Sequence, residues 1–389
     1  MSPPWLTPRT AYLHVPFCGH HCGYCDFAVT AGQDHLIDVY LEALTAELAT
    51  PDTPRPVESL FLGGGTPTYL TVAQLDRLLT AVNRWLPLTG PDPEFSVEST
   101  PESLDADKAR VLAAHGVTRI SIGVQSFHPH LLSALDRRHG VAHIPAAVAA
   151  VRPHVPDLSF DLIFAAPGQT PAQWDADLTE ALKYAPDHLS TYGLTYETGT
   201  PLWKQRRRGQ VSAVPEEAEL AMYRHGIARL AEAGFDHYEV SNFARPGKRS
   251  RHNGRYWANE AYYGFGVGAA RYVDGERAMN RRDTRGYIRT VLAGGDPTFQ
   301  RETLGPEERA FETMATQLRR LDGIDRARFR EQTGFALDGL LGARLTHLLG
   351  LGLLADTGDG VRLTAVGLAV ADGVVEDLMR AAGDKSRMR

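Results

Sequence analysis

The 389-residue chain is predicted to be an α/β protein: an open, partial (β/α)6 barrel followed by a small C-terminal helical, winged-helix-like domain. Short apolar runs alternate with amphipathic stretches through the first 200 or so residues. Polar residues recur at the ends of those runs. After about residue 300 the pattern changes to short helical stretches. Parallel neighbours need a long return connection, which a helix supplies. Six units are too few to close an eight-stranded barrel, so the sheet is read as open.

Residues 11–17, 59–62, 94–98, 119–125, 158–164 and 188–195 read as buried strands. Amphipathic stretches at 36–48, 72–86, 106–115, 142–152 and 172–184 read as the helices between them. The segment Tyr262-Tyr263-Gly264-Phe265-Gly266-Val267-Gly268 reads either as the lining of a planar cavity or as a β-hairpin. Residues 306–321, 326–333 and 340–349 read as helices, and 353–364 as two short strands about a Gly-rich turn. Helices with a wing often bind DNA, but Asp356 and Asp359 in the turn oppose phosphate contact. The unit is read as a packing or lid domain and a contact surface for a partner. Three parts are therefore expected, 1–200, 201–300 and 301–389, with a polar, loose tail from Ala381 to Arg389.

Composition narrows the class. A hydrophobic share of 43% is ordinary for a globular chain, and no apolar run approaches the about 20 residues of a membrane helix. Met1-Ser2-Pro3-Pro4-Trp5 has no basic segment followed by an apolar one, so no signal peptide is expected and the location is read as cytoplasmic. A net charge of −6 argues against wholesale nucleic-acid binding. The basic runs at 204–208 and Arg281-Arg282 read as solvated surface.

All three cysteines, Cys18, Cys22 and Cys25, fall in one C-x3-C-x2-C loop after the first strand. Three thiolates against the four irons of a [4Fe-4S] cluster leave one iron without a protein ligand. S-adenosylmethionine (SAM) can chelate that iron through its amino and carboxylate groups. A zinc site would need a fourth ligand, His20 or His21, and zinc ligands usually come as separated pairs. A disulfide would leave one cysteine over. The other polar residues obey the rule that chemistry gathers at the carboxyl ends of parallel strands. Gly63-Gly64-Gly65-Thr66-Pro67 follows the second strand, Glu98 and Gln125 end the third and fourth, and Asp161 lies in the fifth. Residues without Cβ let backbone approach a ligand closely.

These residues carry a resemblance. Tyr12-Leu-His14-Val-Pro16-Phe17-Cys18, the cysteine spacing, GGGTPT at Gly63 to Thr68, Gly123-Val124-Gln125-Ser126-Phe127 and Asp161-Leu-Ile with Pro167-Gly168-Gln169-Thr170 resemble the radical SAM group related to oxygen-independent coproporphyrinogen III dehydrogenase. The match runs in order over residues 10–380. Within that group, Arg251-His252-Asn253-Gly254-Arg255-Tyr256-Trp257 is similar to the H-N-x-x-Y-W motif of the haem-chaperone branch. Phe27 stands where the dehydrogenase pattern has a further cysteine. The chain departs from the common chaperone wording at Ala28-Val29 and at Glu98-Ser99-Thr100-Pro101, where Glu-Ala-Asn-Pro is usual.

The resemblance implies that Cys18, Cys22 and Cys25 bind the cluster and that Tyr12, Gly64 and Glu98 contact SAM. Tyr24, Gly65, Thr66, Gln125, Arg137 and Asp161 match a second SAM site of the dehydrogenase type. The residue chemistry is compatible. Glu98 can pair an ammonium, Arg137 can fork a carboxylate, and Asp161 can accept from an amine; the plain alternative for Arg137 is a solvated arginine at a helix end. For haem the resemblance points to His252, Asn253, Tyr256 and Trp257, an imidazole being a common axial ligand and the aromatics offering stacking faces. The implied function is a haem chaperone serving respiratory haemoproteins, with peripheral contact to membrane-bound acceptors and without dehydrogenase activity. The alternatives are oxidative decarboxylation of coproporphyrinogen III and a radical SAM methyl- or cyclopropyl-transferase. No catalytic residue is assigned.

Overall fold

The computed structural model describes residues 3–387, with side chains as far as residue 380. At its centre six parallel strands lie side by side in chain order: β1 (Thr10–Val15), β2 (Ser59–Gly64), β3 (Glu94–Ser99), β4 (Arg119–Gln125), β5 (Asp157–Phe164) and β6 (His188–Gly193). The crossover helices are Ile37–Ala49, Val72–Trp85, Ala106–Ala114, His143–Val151 and Pro171–Lys183. Every one of these strands and helices was legible in the sequence, with ends shifted by two residues at most. Local signals set the boundaries. Thr71 and Thr170 each cap a helix by accepting from the backbone N–H three residues on, and Gln74 and Gln173 reciprocate.

The two faces of the sheet differ. Leu13, Leu60, Leu62, Val97, Ile120, Ile122, Leu158 and Phe160 are fully buried against the helices and form the main core. Alternate positions, among them Tyr12, His14, Ser59, Glu98, Ser121, Ser159, Asp161, His188 and Ser190, are polar and share the opposite face. The barrel interior is therefore built from polar groups that must find partners.

Additions at both edges enlarge the sheet to nine strands. Tyr263–Phe265 pairs parallel to β1, with Tyr12 opposite Gly264. Of the two readings of 262–268, the β-hairpin gives way to a seventh parallel strand. The carbonyl of Ala270 stands where a Cβ on Gly264 would project, so no side chain fits there. At the far edge, Asn242–Ala244 pairs antiparallel to β6, and Asp236–Glu239 pairs antiparallel to it in turn. Ala270–Val273, Glu276–Asn280 and Thr298–Thr303 make a separate antiparallel sheet.

The C-terminal unit has its own core of Phe311, Met314, Phe329, Leu340, Leu345 and Leu378. Its helices are Pro306–Gln317, Arg326–Thr333, Leu337–Leu341, Ala343–Gly350 and Ala371–Arg387, with Leu354–Asp356 and Gly360–Leu363 as the wing. Two expectations change. The helix read over 340–349 is broken at Gly342, whose φ of +54° stops the first segment. The tail from Ala381 continues the last helix to Arg387, and residues 388–389 lie outside the described residues. Asp356 in the acidic turn is engaged by Arg326, which also forks Asp338. Among the described residues no helix is long and apolar enough to cross a membrane.

Candidate functional site

The cysteine loop is fastened at its base to the glycine run. Thr30 N–H donates to Pro16 O (2.7 Å), closing the loop, while Gly65 N–H donates to Val15 O and Thr66 N–H to Phe17 O, each at 2.8 Å. Gly64 N–H donates to Glu98 Oε2 at 2.8 Å. A Cβ on Gly63 would lie 2.6 Å from Glu98 Oε2, and one on Gly65 would lie 2.6 Å from the Pro16 carbonyl carbon. Gly64 combines φ +109° with the His14 ring where its Cβ would go. The glycines allow close approach as expected, but the approach is to the protein's own thiol loop and carboxylate.

Cys18, Cys22 and Cys25 are half-buried free thiols. Cys18 Sγ lies 3.2 Å from Thr66 Oγ1, and Arg137 Nη1 donates to Cys22 Sγ at 3.5 Å. Burial pushes the Cys18 thiol up to about 12 and the Cys25 thiol to about 11. Deprotonation there needs positive charge. His20 Nε2 is 3.0 Å from the Asp136 carboxylate, and His21 Nε2 is 3.0 Å from the carbonyl oxygen of Cys25. Among the described residues no three His, Cys, Asp or Glu side chains converge on a single metal ion.

Two carboxyls face the thiols from the sheet interior. Burial raises Glu98 to about 7, the Gly64 amide pulling it down and Asp161 pushing it up. Asp161 rises to about 6, mainly by burial, although Ser121 Oγ donates to both its oxygens at 3.1 Å. Arg137 is not the solvated helix-end arginine. Its Nη2 donates to Gly123 O at 2.8 Å, and its charge is held by Tyr24 and Cys22. Gln125 sits at φ +64°, unusual for a residue with a side chain, at a bulge in the β4–β5 pairing. Tyr12, Tyr24, Gly64, Gly65, Thr66, Glu98, Gln125, Arg137, Asp161 and the thiols all lie on this one rim or just inside it. Ser121 and His14 belong with them; Ser121 was missed, and His14 was read only as part of the first-strand motif. Both sit at alternate positions from residues already singled out, Ser121 from Gln125 and His14 from Tyr12.

His252 is placed elsewhere. It opens the helix Arg251–Trp257, whose first amides donate to Glu94 at the start of β3. The helix thus covers the foot of the barrel. His252 is 1% exposed, with Nδ1 3.3 Å from Ser59 Oγ and Nε2 3.0 Å from Tyr256 Oη. Burial lowers its pKa to about 3. Tyr256 packs edge-on against Tyr262 at 4.5 Å between ring centroids, and Arg319 lies over the Trp257 ring at 5.2 Å. Asn253 is half-buried in the same helix. In this structure both imidazole nitrogens of His252 have protein partners and the neighbouring rings stack on protein, while Trp257 Nε1 is buried without a hydrogen-bond partner. Foot and rim are joined by a column. His252 packs on Phe61 (5.1 Å), Phe61 on Tyr12 (6.1 Å), and Tyr12 Oη lies 3.0 Å from His14 Nδ1. His14 Nε2 lies 3.0 Å from the Ala28 carbonyl, so it carries the hydrogen and Nδ1 accepts from Tyr12.

The basic runs read as surface also divide. Lys204 to Arg208 is exposed, whereas Arg282 reaches the Asp26 carbonyl beside the thiols.

Comparison with known proteins gives a consistent picture. Residues 12–181 match the radical SAM superfamily, and residues 304–370 match the HemN C-terminal domain. A Bacillus subtilis protein named heme chaperone HemW is 36% identical over 370 residues, 94% of this chain and 98% of that one. A Synechocystis protein of the same name is 38% identical over 82% of this chain and 80% of its own. The structure resembles that of the Escherichia coli coproporphyrinogen III oxidase HemN, described as a radical SAM enzyme, with a TM-score of 0.83 over 96% of this chain and 90% of that one. At 24% identity that likeness speaks for the fold alone.

Proposed function

The chain belongs to the HemW family of radical SAM proteins, and from that membership we propose that it binds haem and hands it to haem-accepting proteins, respiratory enzymes among them. The observation that carries this reading is identity spread along 94% of the chain, so that barrel and C-terminal unit both belong to the likeness. Phe27, 64% exposed beside Cys25, supports the chaperone branch over the dehydrogenase.

The rim fits the cofactors of the family. Three thiols on one loop match a [4Fe-4S] cluster with one iron free to chelate SAM. Cys18, Cys22 and Cys25 would hold it, Arg137 and Thr66 steadying the sulfur of Cys22 and Cys18. Glu98 and Asp161, two carboxyls raised mainly by burial, with Asp161 adding to the rise of Glu98, favour a cationic partner such as the ammonium and sulfonium of SAM. Tyr12 and Gly64 would complete that site with Glu98. Tyr24, Gly65, Thr66, Gln125, Arg137 and Asp161 would serve a second SAM. Residues 1–200 would then carry the cofactor rim, 201–300 its closing elements, and 301–389 the face toward acceptors, in the cytoplasm.

The test is one anaerobic preparation with cluster and SAM, assayed for haem binding and for coproporphyrinogen III turnover. About one haem per chain and no turnover above a blank is the expected result. Multiple turnovers to protoporphyrinogen would overturn the proposal.

A further inference from the structure

Away from the rim, a cleft of about 680 Å3 opens between the two cores, within the size range of small-molecule sites, which favour domain interfaces. Helix Glu216–Glu232 forms one wall: Tyr223 and Ile227 pack against both the barrel core and the C-terminal core. The wing and the segment after it form the other, through Leu363 and Leu368. Arg224 stands on the first wall and Arg362 on the second, both exposed. Neither has a hydrogen bond or ion pair with any described residue, and neither is among the groups whose contacts go unstated. The lining contains no Asp or Glu. Among the described residues its floor is apolar and its only full charges are two guanidiniums without a side-chain partner, contributed by different units.

Such a site selects a large apolar body bearing more than one carboxylate. An unpaired arginine beside an apolar surface offers a bidentate fork for carboxylate, and two on facing walls match two acid groups better than the single one of a fatty acid. The haem macrocycle with its two propionates has that chemistry. We propose that haem docks in this cleft, its ring against Tyr223, Ile227, Leu363 and Leu368 and its propionates at Arg224 and Arg362. The inference rests on the haem-carrying function proposed above and gives that function a location other than the buried His252 helix. Burial also keeps a neutral imidazole in the lining, His237, its pKa lowered to about 4.

The test uses the full chain with its cluster reconstituted, titrated with haem and with haem dimethyl ester and followed by the Soret band. Reversing both charges, Arg224→Glu with Arg362→Glu, should weaken haem binding at least about tenfold while leaving iron and sulfide content and melting temperature unchanged, since both side chains are exposed and unpaired. The ester, with neutral side arms, should bind wild type and double variant alike. A second variant, Ala369→Trp, places bulk in the cleft and should weaken both ligands. If wild type binds haem and neither variant changes its affinity, the cleft is not the site and the chaperone reading stands. Equal losses of haem and ester in the charge-reversed variant would also overturn the docking mode. If wild type binds no haem at all, the chaperone reading itself fails.

Discussion

The rim and the foot of the barrel are built on the same polar face of the same strands, yet they solve the problem of buried polar groups in opposite ways. At the foot, Glu94 accepts from Ser250 Oγ and from the Arg251 and His252 amides. His188 lies between Ser159 and Tyr238, and His252 between Ser59 and Tyr256. Each of these side chains is satisfied by the protein itself. At the rim, two carboxyls and the Cys18 and Cys25 thiols are raised by burial, and Gln125 keeps a left-handed backbone. Groups left in costly states are the mark of a site completed by something else. In this structure the helix carrying His252 plugs the foot of the barrel, at the opposite end from the thiols.

The sharpest way to break that contrast is to remove one group from each end. Cys22→Ser should abolish iron–sulfur absorbance in reconstituted protein, because no other cysteine exists to replace it, whereas His252→Ala should leave iron and sulfide per chain unchanged. Equal losses in the two variants would show that the ends are not separate.

His252→Ala should instead cost stability, about 2–4 kcal/mol, from the cavity beneath Phe61 and the two hydroxyls it strands. Urea unfolding measures it. Little change would mean that the helix at the foot is dispensable and the plug reading wrong.

A smaller effect is expected for Arg137→Lys. The charge survives but the fork between Cys22 and Gly123 does not, so about 1–2 kcal/mol of stability should go, with weaker retention of iron during gel filtration. Retention equal to wild type would assign Arg137 to packing alone.

The slightest effect, of order 1 kcal/mol, is a pH dependence of opposite sign at the two ends. His252 is lowered from 6.5 to about 3 in the fold, so its contribution is present at neutral pH and is lost as pH falls below about 6.5. The penalty of His252→Ala should therefore shrink from pH 7 to pH 5. Glu98 is raised from 4.5 to about 7, so its contribution is present at low pH and is lost as pH rises through that range. The penalty of Glu98→Gln in metal-free protein should shrink from pH 5 to pH 8. Parallel trends in melting temperature would refute the contrast.

The sequence made the barrel legible because each strand is followed by a helix long enough to show its period and often capped, as at Thr71 and Thr170. Residues 201–300 were opaque for the opposite reason. Asp236–Glu239, Asn242–Ala244 and Tyr263–Phe265 run three or four residues, too short to show alternation. They become strands only because β1 and β6 offer open edges. The rim residues were readable through their motifs, but Ser121, which fixes Asp161, looks like any strand serine. The burial of His252 was invisible for a further reason: its partners Ser59, Phe61 and Glu94 lie more than 150 residues earlier, and only the fold brings them together.

The hydrogen bonds from Gly65 and Thr66 to Val15 and Phe17 tie the thiol loop to a segment nearly 50 residues downstream. Until β1 and β2 dock, the thiols have no common orientation, since a free loop of this length samples many arrangements. Assembly therefore has an order: the first two strands and their helix must associate before inorganic iron and sulfide can find a defined cradle. On a ribosome that contact becomes available soon after Thr66 clears the exit tunnel, long before the C-terminal unit exists.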